Sequence, residues 1–331
     1  MSRALVLLAL VCALTPASAA AAPRTVPRGF FGVMADGVLL GRDDAQLAHE
    51  FDVMQADGVE SVRIVVYWAD LQPAPPDAPV PDGWVSGRGR VPTHFAETDR
   101  LIEQAARHGM SVLPVVLRSP GWDSENPELL TAPPKRDQPY ADFLGTLIDR
   151  YGPRGSFWDE HPGVPRRPQR DWQIWNEPNI DRYWGSPKPF AAHYARLLRT
   201  ARRTIKAADP EARVVLTGFA NDSWRPLARA YRAGIRGQFD VAAVHPFSAR
   251  PRFVLKIVRL NREVMARYGD ARRRIAISEI TWPSAKGKTK NTVGWETTEA
   301  GQADRLRYAF RALLARRASW RIERITWSTW L

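Results

Sequence analysis

From residue 30 onward, short apolar runs alternate with longer stretches whose apolar residues recur at helical spacing. Residues 30–35 read as a first strand. Residues 44–56 read as a helix, because Leu47, Phe51 and Met54 stand three or four positions apart on one face. Asp43 or Asp44 can cap it. Residues 61–68 form a second strand, with Val62, Ile64, Val65 and Val66 supplying the β-branched side chains that suit a pleated surface. A proline-rich loop over 72–81 leads to a helix at 94–108, which Gly109 can end. Strand and helix then pair at 111–117 and 140–151, 171–175 and 190–208, 213–218 and 224–235, 239–244 and 253–268, and 274–280 and 300–317. Residues 322–330 supply an eighth strand.

Strands that are continuously apolar, rather than alternating with polar residues, are expected to be buried on both faces of a parallel sheet. Eight of them separated by seven helices predict a single (β/α)₈ barrel over residues 23–331, a fold of about 250 residues. No glycine-rich phosphate loop follows the first strand, which disfavours an open dinucleotide-binding sheet. The pattern stops at the eighth strand. The eighth helix is therefore absent, replaced by an N-terminal segment, or cut off with the sequence.

The first residues do not belong to this rhythm. Arg3, an apolar run over 4–14 and the small residues Ala17, Ser18, Ala19 and Ala20 predict a cleaved signal peptide over 1–22 and an exported or wall-associated protein. Thr15 and Pro16 break the run before it could span a bilayer, and no later segment is long and apolar enough to do so. The one cysteine, Cys12, lies in that leader, so disulfides contribute nothing to the mature fold.

Composition changes the picture only in its charge. The chain carries 48 Lys and Arg against 35 Asp and Glu, a net +13, and 41 of the cations are arginine. They are scattered, as at Arg199, Arg202 and Arg203 or Arg272 to Arg274, rather than gathered in a tail. That pattern favours a solvated surface over nucleic-acid binding and leaves attraction to an anionic wall polymer open. The six histidines show no paired metal-ligand spacing, and no Gly-x-Ser-x-Gly elbow is present. No metal or cofactor is expected.

In such a barrel the chemistry sits at the C-terminal ends of the strands. Glu177 ends the fourth, in Trp172-Gln173-Ile174-Trp175-Asn176-Glu177-Pro178-Asn179, and Glu279 ends the seventh, in Ile275-Ala276-Ile277-Ser278-Glu279-Ile280-Thr281-Trp282. A carboxylate at the end of an apolar strand is costly unless it is paired or functional. These two would point into one mouth.

Asn-Glu-Pro on strand four with Ser-Glu-x-x-Trp on strand seven resembles the clan of retaining (β/α)₈ glycosidases that includes cellulase-like, xylanase-like and β-xylosidase- or iduronidase-like enzymes. The resemblance covers nearly the whole mature chain. It implies Glu177 as general acid/base and Glu279 as nucleophile, in a double displacement with carboxyls about 5–5.5 Å apart. By the same resemblance Asn176 bonds the sugar 2-hydroxyl, Arg63 on strand two supports the nucleophile, and His245 ends strand six. Trp327 would be the floor under the reacting sugar, and Trp282 is a further candidate for binding it. Phe247 stands where the clan often has a tyrosine near the nucleophile.

Each of these residues also has a plainer reading. Asn176 could fix a turn, His245 could be structural, and Arg63 would face outward after a one-residue slip. Trp68, Trp122, Trp184, Trp282 and Trp327 all fall at or just after strand ends, which suits a carbohydrate cleft, although packing explains any one of them. Two other functions compete with hydrolysis: a barrel that binds carbohydrate without cleaving it, and a basic wall-associated protein. The sugar and the oligomeric state are left open by the sequence.

Overall fold

The structure, a computed structural model, describes residues 24–186, 189–290 and 293–330. The leader expected at 1–22 lies outside them. Eight parallel strands close into a barrel: β1 (Phe31–Met34), β2 (Ser61–Tyr67), β3 (Ser111–Leu117), β4 (Asp171–Ile174), β5 (Arg213–Leu216), β6 (Val241–Val244), β7 (Arg274–Ile280) and β8 (Ile322–Ser328). Each pairs with its neighbours in the chain, and β8 closes on β1 with Phe31 opposite Ile325. Outside run α1 (Asp44–Ala56), α2 (Ala96–Arg107), α3 (Asp137–Tyr151), α4 (Phe190–Ala208), α5 (Trp224–Arg232), α6 (Pro251–Arg267) and α7 (Glu299–Ala315). The single (β/α)₈ barrel expected from the sequence is the fold.

Local signals account for the element ends. Asp43 caps α1 in a reciprocal box: its side chain accepts from the Gln46 N–H, and the Gln46 side chain accepts from the Asp43 N–H. Gly109 follows α2 with φ of +71°, a backbone that L side chains rarely adopt. Proline opens α6 at its first turn, where its missing N–H removes no helical bond. The loop after β2 is not wholly irregular, because Val85–Ser86 pairs antiparallel with Pro92–Thr93.

Among the described residues no helix follows β8. The chain turns back on β1 instead: the Trp330 N–H and the Thr329 hydroxyl both donate to the Met34 carbonyl, at 2.7 and 2.9 Å, and the Trp330 indole donates to Glu50. Phe31 stacks flat on Phe310 of α7, with ring centroids 6.0 Å apart.

Inside the barrel the side chains sort by height. Leu113, Val215, Val241, Ala243 and Ala276 form an apolar cluster of their own, apart from the main core between strands and helices. Below it, at the strands' N-terminal ends, Arg213 forks onto Asp171 at 2.7 and 2.6 Å, and Arg324 reaches the same carboxylate at 3.1 Å. Glu323 takes the other arm of Arg213 at 2.8 Å. Removing one member of such a buried network leaves an uncompensated charge. Asp171→Ala is therefore expected to lower stability by about 3–5 kcal/mol in urea titration; a loss under 1 kcal/mol would show that the floor tolerates the unpaired arginines.

Candidate active site

The site lies above the apolar layer, where β1, β2, β4, β6 and β7 end. Arg63 is its hub. Its position in β2 turns it into the barrel, and its side chain is 1% exposed. One arm donates to Asp36 Oδ2 at 2.8 Å. The other reaches Glu279 Oε1 at 2.8 Å and Asn176 Oδ1 at 2.9 Å. A guanidinium held in this way is fully charged and fixed in direction.

Glu177 stands across from it. His245 Nδ1 lies 2.8 Å from Glu177 Oε1, and its Nε2 lies 3.5 Å from Glu279 Oε1. One atom from each of Glu177, His245 and Glu279 falls within 4.8 Å of the others. The three could close around a cation, although the Arg63 guanidinium already occupies the Glu279 oxygen.

The backbone that presents Glu177 is bent. Trp175 and Glu177 both take positive φ, 66° and 40°, conformations that cost a non-glycine residue about 1–3 kcal/mol and persist only where the surroundings impose them. Here the Trp175 indole is buried and donates to the Tyr183 carbonyl at 2.6 Å, while the Glu177 N–H donates to the Gly218 carbonyl at 3.1 Å. Gly218 also makes room for the imidazole: a Cβ there would stand 2.2 Å from His245 Nε2.

Of the residues singled out by sequence, the structure brings Arg63, Asn176, Glu177, His245 and Glu279 together. The tryptophans are placed elsewhere. Trp68, Trp184 and Trp282 are buried in the packing, the last with its indole N–H on the Ser248 carbonyl at 2.7 Å. Trp122 packs edge-on against Trp68. Trp327 lines a neighbouring cavity with Gln302 and Ser328. Phe247 stacks on Trp295.

A cavity of about 360 Å³ opens beside Glu279 and Asn176. Its aromatic walls are Tyr67 and Tyr183, and Asp36, Arg118 and Arg182 also line it. Burial pushes both tyrosine hydroxyls above their ordinary range. Sequence reading missed these five residues. Asp36, Tyr67 and Arg118 stand at or just beyond the ends of β1, β2 and β3, the same positional signal that marked Glu177. Arg182 and Tyr183 carry no such signal, because they sit on the short helix Asp181–Trp184 within the connection after β4, whose course only the fold reveals.

Comparison with known proteins supports the architecture. No protein-family profile and no curated protein matches the chain. Solved structures do. A monomeric β-xylosidase from Caulobacter crescentus CB15 aligns over 92% of this chain and 61% of its own, with 18% identity and a TM-score of 0.60. The chain thus spans less than two thirds of that relative's length. A family 51 α-L-arabinofuranosidase from Bifidobacterium longum aligns over 92% and 67%, with 14% identity and a TM-score of 0.63. An endo-1,4-β-mannanase from Rhizomucor miehei aligns over 93% and 88%, with 13% identity and a TM-score of 0.57. What they share with this chain is the barrel.

The Asp36 carboxyl gives the site a pH signature. Burial pushes it up to about 6; the Arg63 cation opposes the rise and the Glu279 charge adds to it. Since the folded value exceeds the unfolded one, the stability this group supplies is fully present below about pH 4 and is lost as pH rises through about 6. Compared with Asp36→Asn, the wild type should lose up to about 3 kcal/mol between pH 4 and pH 7 in urea titrations. Parallel pH dependence in the two proteins would show that Asp36 does not titrate in this window.

Proposed function

We propose that the chain is a retaining glycoside hydrolase, exported from the cell, with Glu177 as general acid/base and Glu279 as nucleophile. The observation that carries this reading is the pairing at the barrel mouth of two buried glutamates, each with its own positioning group. An oxygen of one lies within 4.8 Å of an oxygen of the other. That spacing suits direct attack by a carboxylate better than the wider gap, about 6.5–9.5 Å, needed to seat a water for inversion.

In the first step Glu279 attacks the anomeric carbon, the glycosidic C–O bond breaks, and Glu177 gives its proton to the departing oxygen. The Arg63 guanidinium lies 2.8 Å from the attacking Glu279 oxygen. It also fixes the attacking carboxylate, while the Asn176 side chain on the same guanidinium is presented to the sugar. In the second step a water attacks the same carbon, Glu177 takes its proton, and Glu279 leaves as carboxylate. His245 holds Glu177 in place through Nδ1 in both steps. The solved structures named above, enzymes named for xylose, arabinose and mannose links, add fold-level support.

Reducing-sugar release from plant, fungal and bacterial wall glycans, compared between wild type and Glu279→Gln, tests the assignment. Loss of about 10³-fold or more in kcat is expected for Glu279→Gln, and about 10²–10⁴-fold for Glu177→Gln on substrates with poor leaving groups. Turnover that survives in Glu279→Gln would remove the nucleophile assignment.

A further inference from the structure

The cavity beside Glu279 is lined by charges of both signs. At the inner end Asp36 and Glu279 already share Arg63. Farther out, two more guanidiniums line the wall without being neutralised in the same way. Arg118, just after β3, has its backbone held at φ of +73°. Its guanidinium lies 4.8 Å over the Tyr67 ring, and only Nη1 has a partner among the described residues, Asp70, at 3.2 and 3.3 Å. Arg182, on the short helix Asp181–Trp184, lies 5.4 Å over the Tyr183 ring and has no carboxylate within ion-pair distance among the described residues.

Both arginines stand on fastened loops. The Thr131 hydroxyl donates to the Arg182 carbonyl, tying the loop after β3 to the loop after β4. Leu129 fills the space where a Cβ on Gly185 would stand. The tyrosine rings beneath the guanidiniums hold them by cation–π contact; Asp70 takes Arg118 Nη1, and the remaining N–H groups of Arg118 and those of Arg182 have no partner among the described residues.

Two cations line one cavity, and only Arg118 has a carboxylate beside it, so an anion entering the cavity meets uncompensated positive charge. A guanidinium fork matches the paired oxygens of a carboxylate or sulfate, whereas neutral hydroxyls leave its charge uncompensated. We propose that Arg118 and Arg182 form a subsite for an anionic substituent on the glycan, the carboxylate of a uronic acid or a sulfate ester, so that the enzyme prefers acidic over neutral sugars. This rests on the glycosidase reading above and gives it a substrate class. The net charge of +13 would draw such a polyanion to the protein over a longer range.

Binding can be measured apart from turnover. Isothermal titration of the full chain with glucuronate, galacturonate and glucose 6-sulfate, each set against glucose or galactose, is expected to show about ten-fold tighter binding of at least one acid, weakening with salt. Arg182→Glu, at an exposed position where folding is not at stake, and Arg118→Gln should each abolish that preference. Whether uronate or sulfate is favoured identifies the source of the charge. Equal affinity for acid and neutral sugars, or a preference that survives both substitutions, overturns the subsite. The turnover test on Glu279→Gln is independent. Absence of hydrolysis by the folded wild type removes the glycosidase reading, and an arginine-dependent acid preference would still stand; Glu279-dependent hydrolysis without acid preference removes only the subsite.

Discussion

A guanidinium withdrawn from water must be met by charge and by acceptors, and Arg63 sets that requirement at the centre of the barrel mouth. Its side chain is almost wholly enclosed, so acceptors have to come from protein, and they reach both terminal nitrogens but not Nε. The acceptors come from three strand ends that are distant in sequence: Asp36 after β1, Asn176 after β4 and Glu279 in β7. The cation therefore does more than neutralise. It fixes where three loops leave the barrel and gives Glu279 its direction. Glu177 is outside that reach and is held separately, through His245, whose own place depends on the bare backbone at Gly218.

The same logic organises the interior by height. Charges at the floor, Asp171 with Arg213, Arg324 and Glu323, neutralise one another. A layer of small apolar side chains separates them from the mouth. Above it the polar groups are only partly satisfied: Asp36 Oδ1, His245 Nε2 and Ser278 Oγ are buried without a hydrogen-bond partner. Buried groups without partners also occur away from the mouth, as at Ser61 and Ser111, and each costs the fold stability unless a water or a ligand meets it. At the mouth positive φ values occur at Arg118, Trp175 and Glu177, as they do elsewhere at Asp77, Arg90 and Arg321.

The cavity joins these two features to the outer loops. Its inner end is the Arg63 network, and its outer wall is made by Arg118, Thr131, Arg182 and Tyr183 from the loops after β3 and β4. Barrel strands are interchangeable between activities, whereas loops are not, and recognition is expected to reside in the part of the chain least constrained by the core.

The sequence by itself determined the succession of strands and helices, because burial on both faces of a parallel strand and on one face of a helix leaves periodicities of composition that need no neighbour to be seen. It also marked Glu177 and Glu279, since a carboxylate closing an apolar strand is conspicuous wherever the strand lies. The same rule applied to Asp36 at the end of β1, and it was legible there but unused. Tertiary structure alone decided which polar side chains converge. Arg63 and Glu279 are joined only when β2 and β7 curve into one barrel, and Arg182 enters the cavity only through the path of its loop. The tryptophans show the converse. Their position after strand ends suggested a cleft, yet Trp68, Trp184 and Trp282 pack inward, because a strand's end fixes the height of a residue in the barrel while its neighbours decide which way the ring turns.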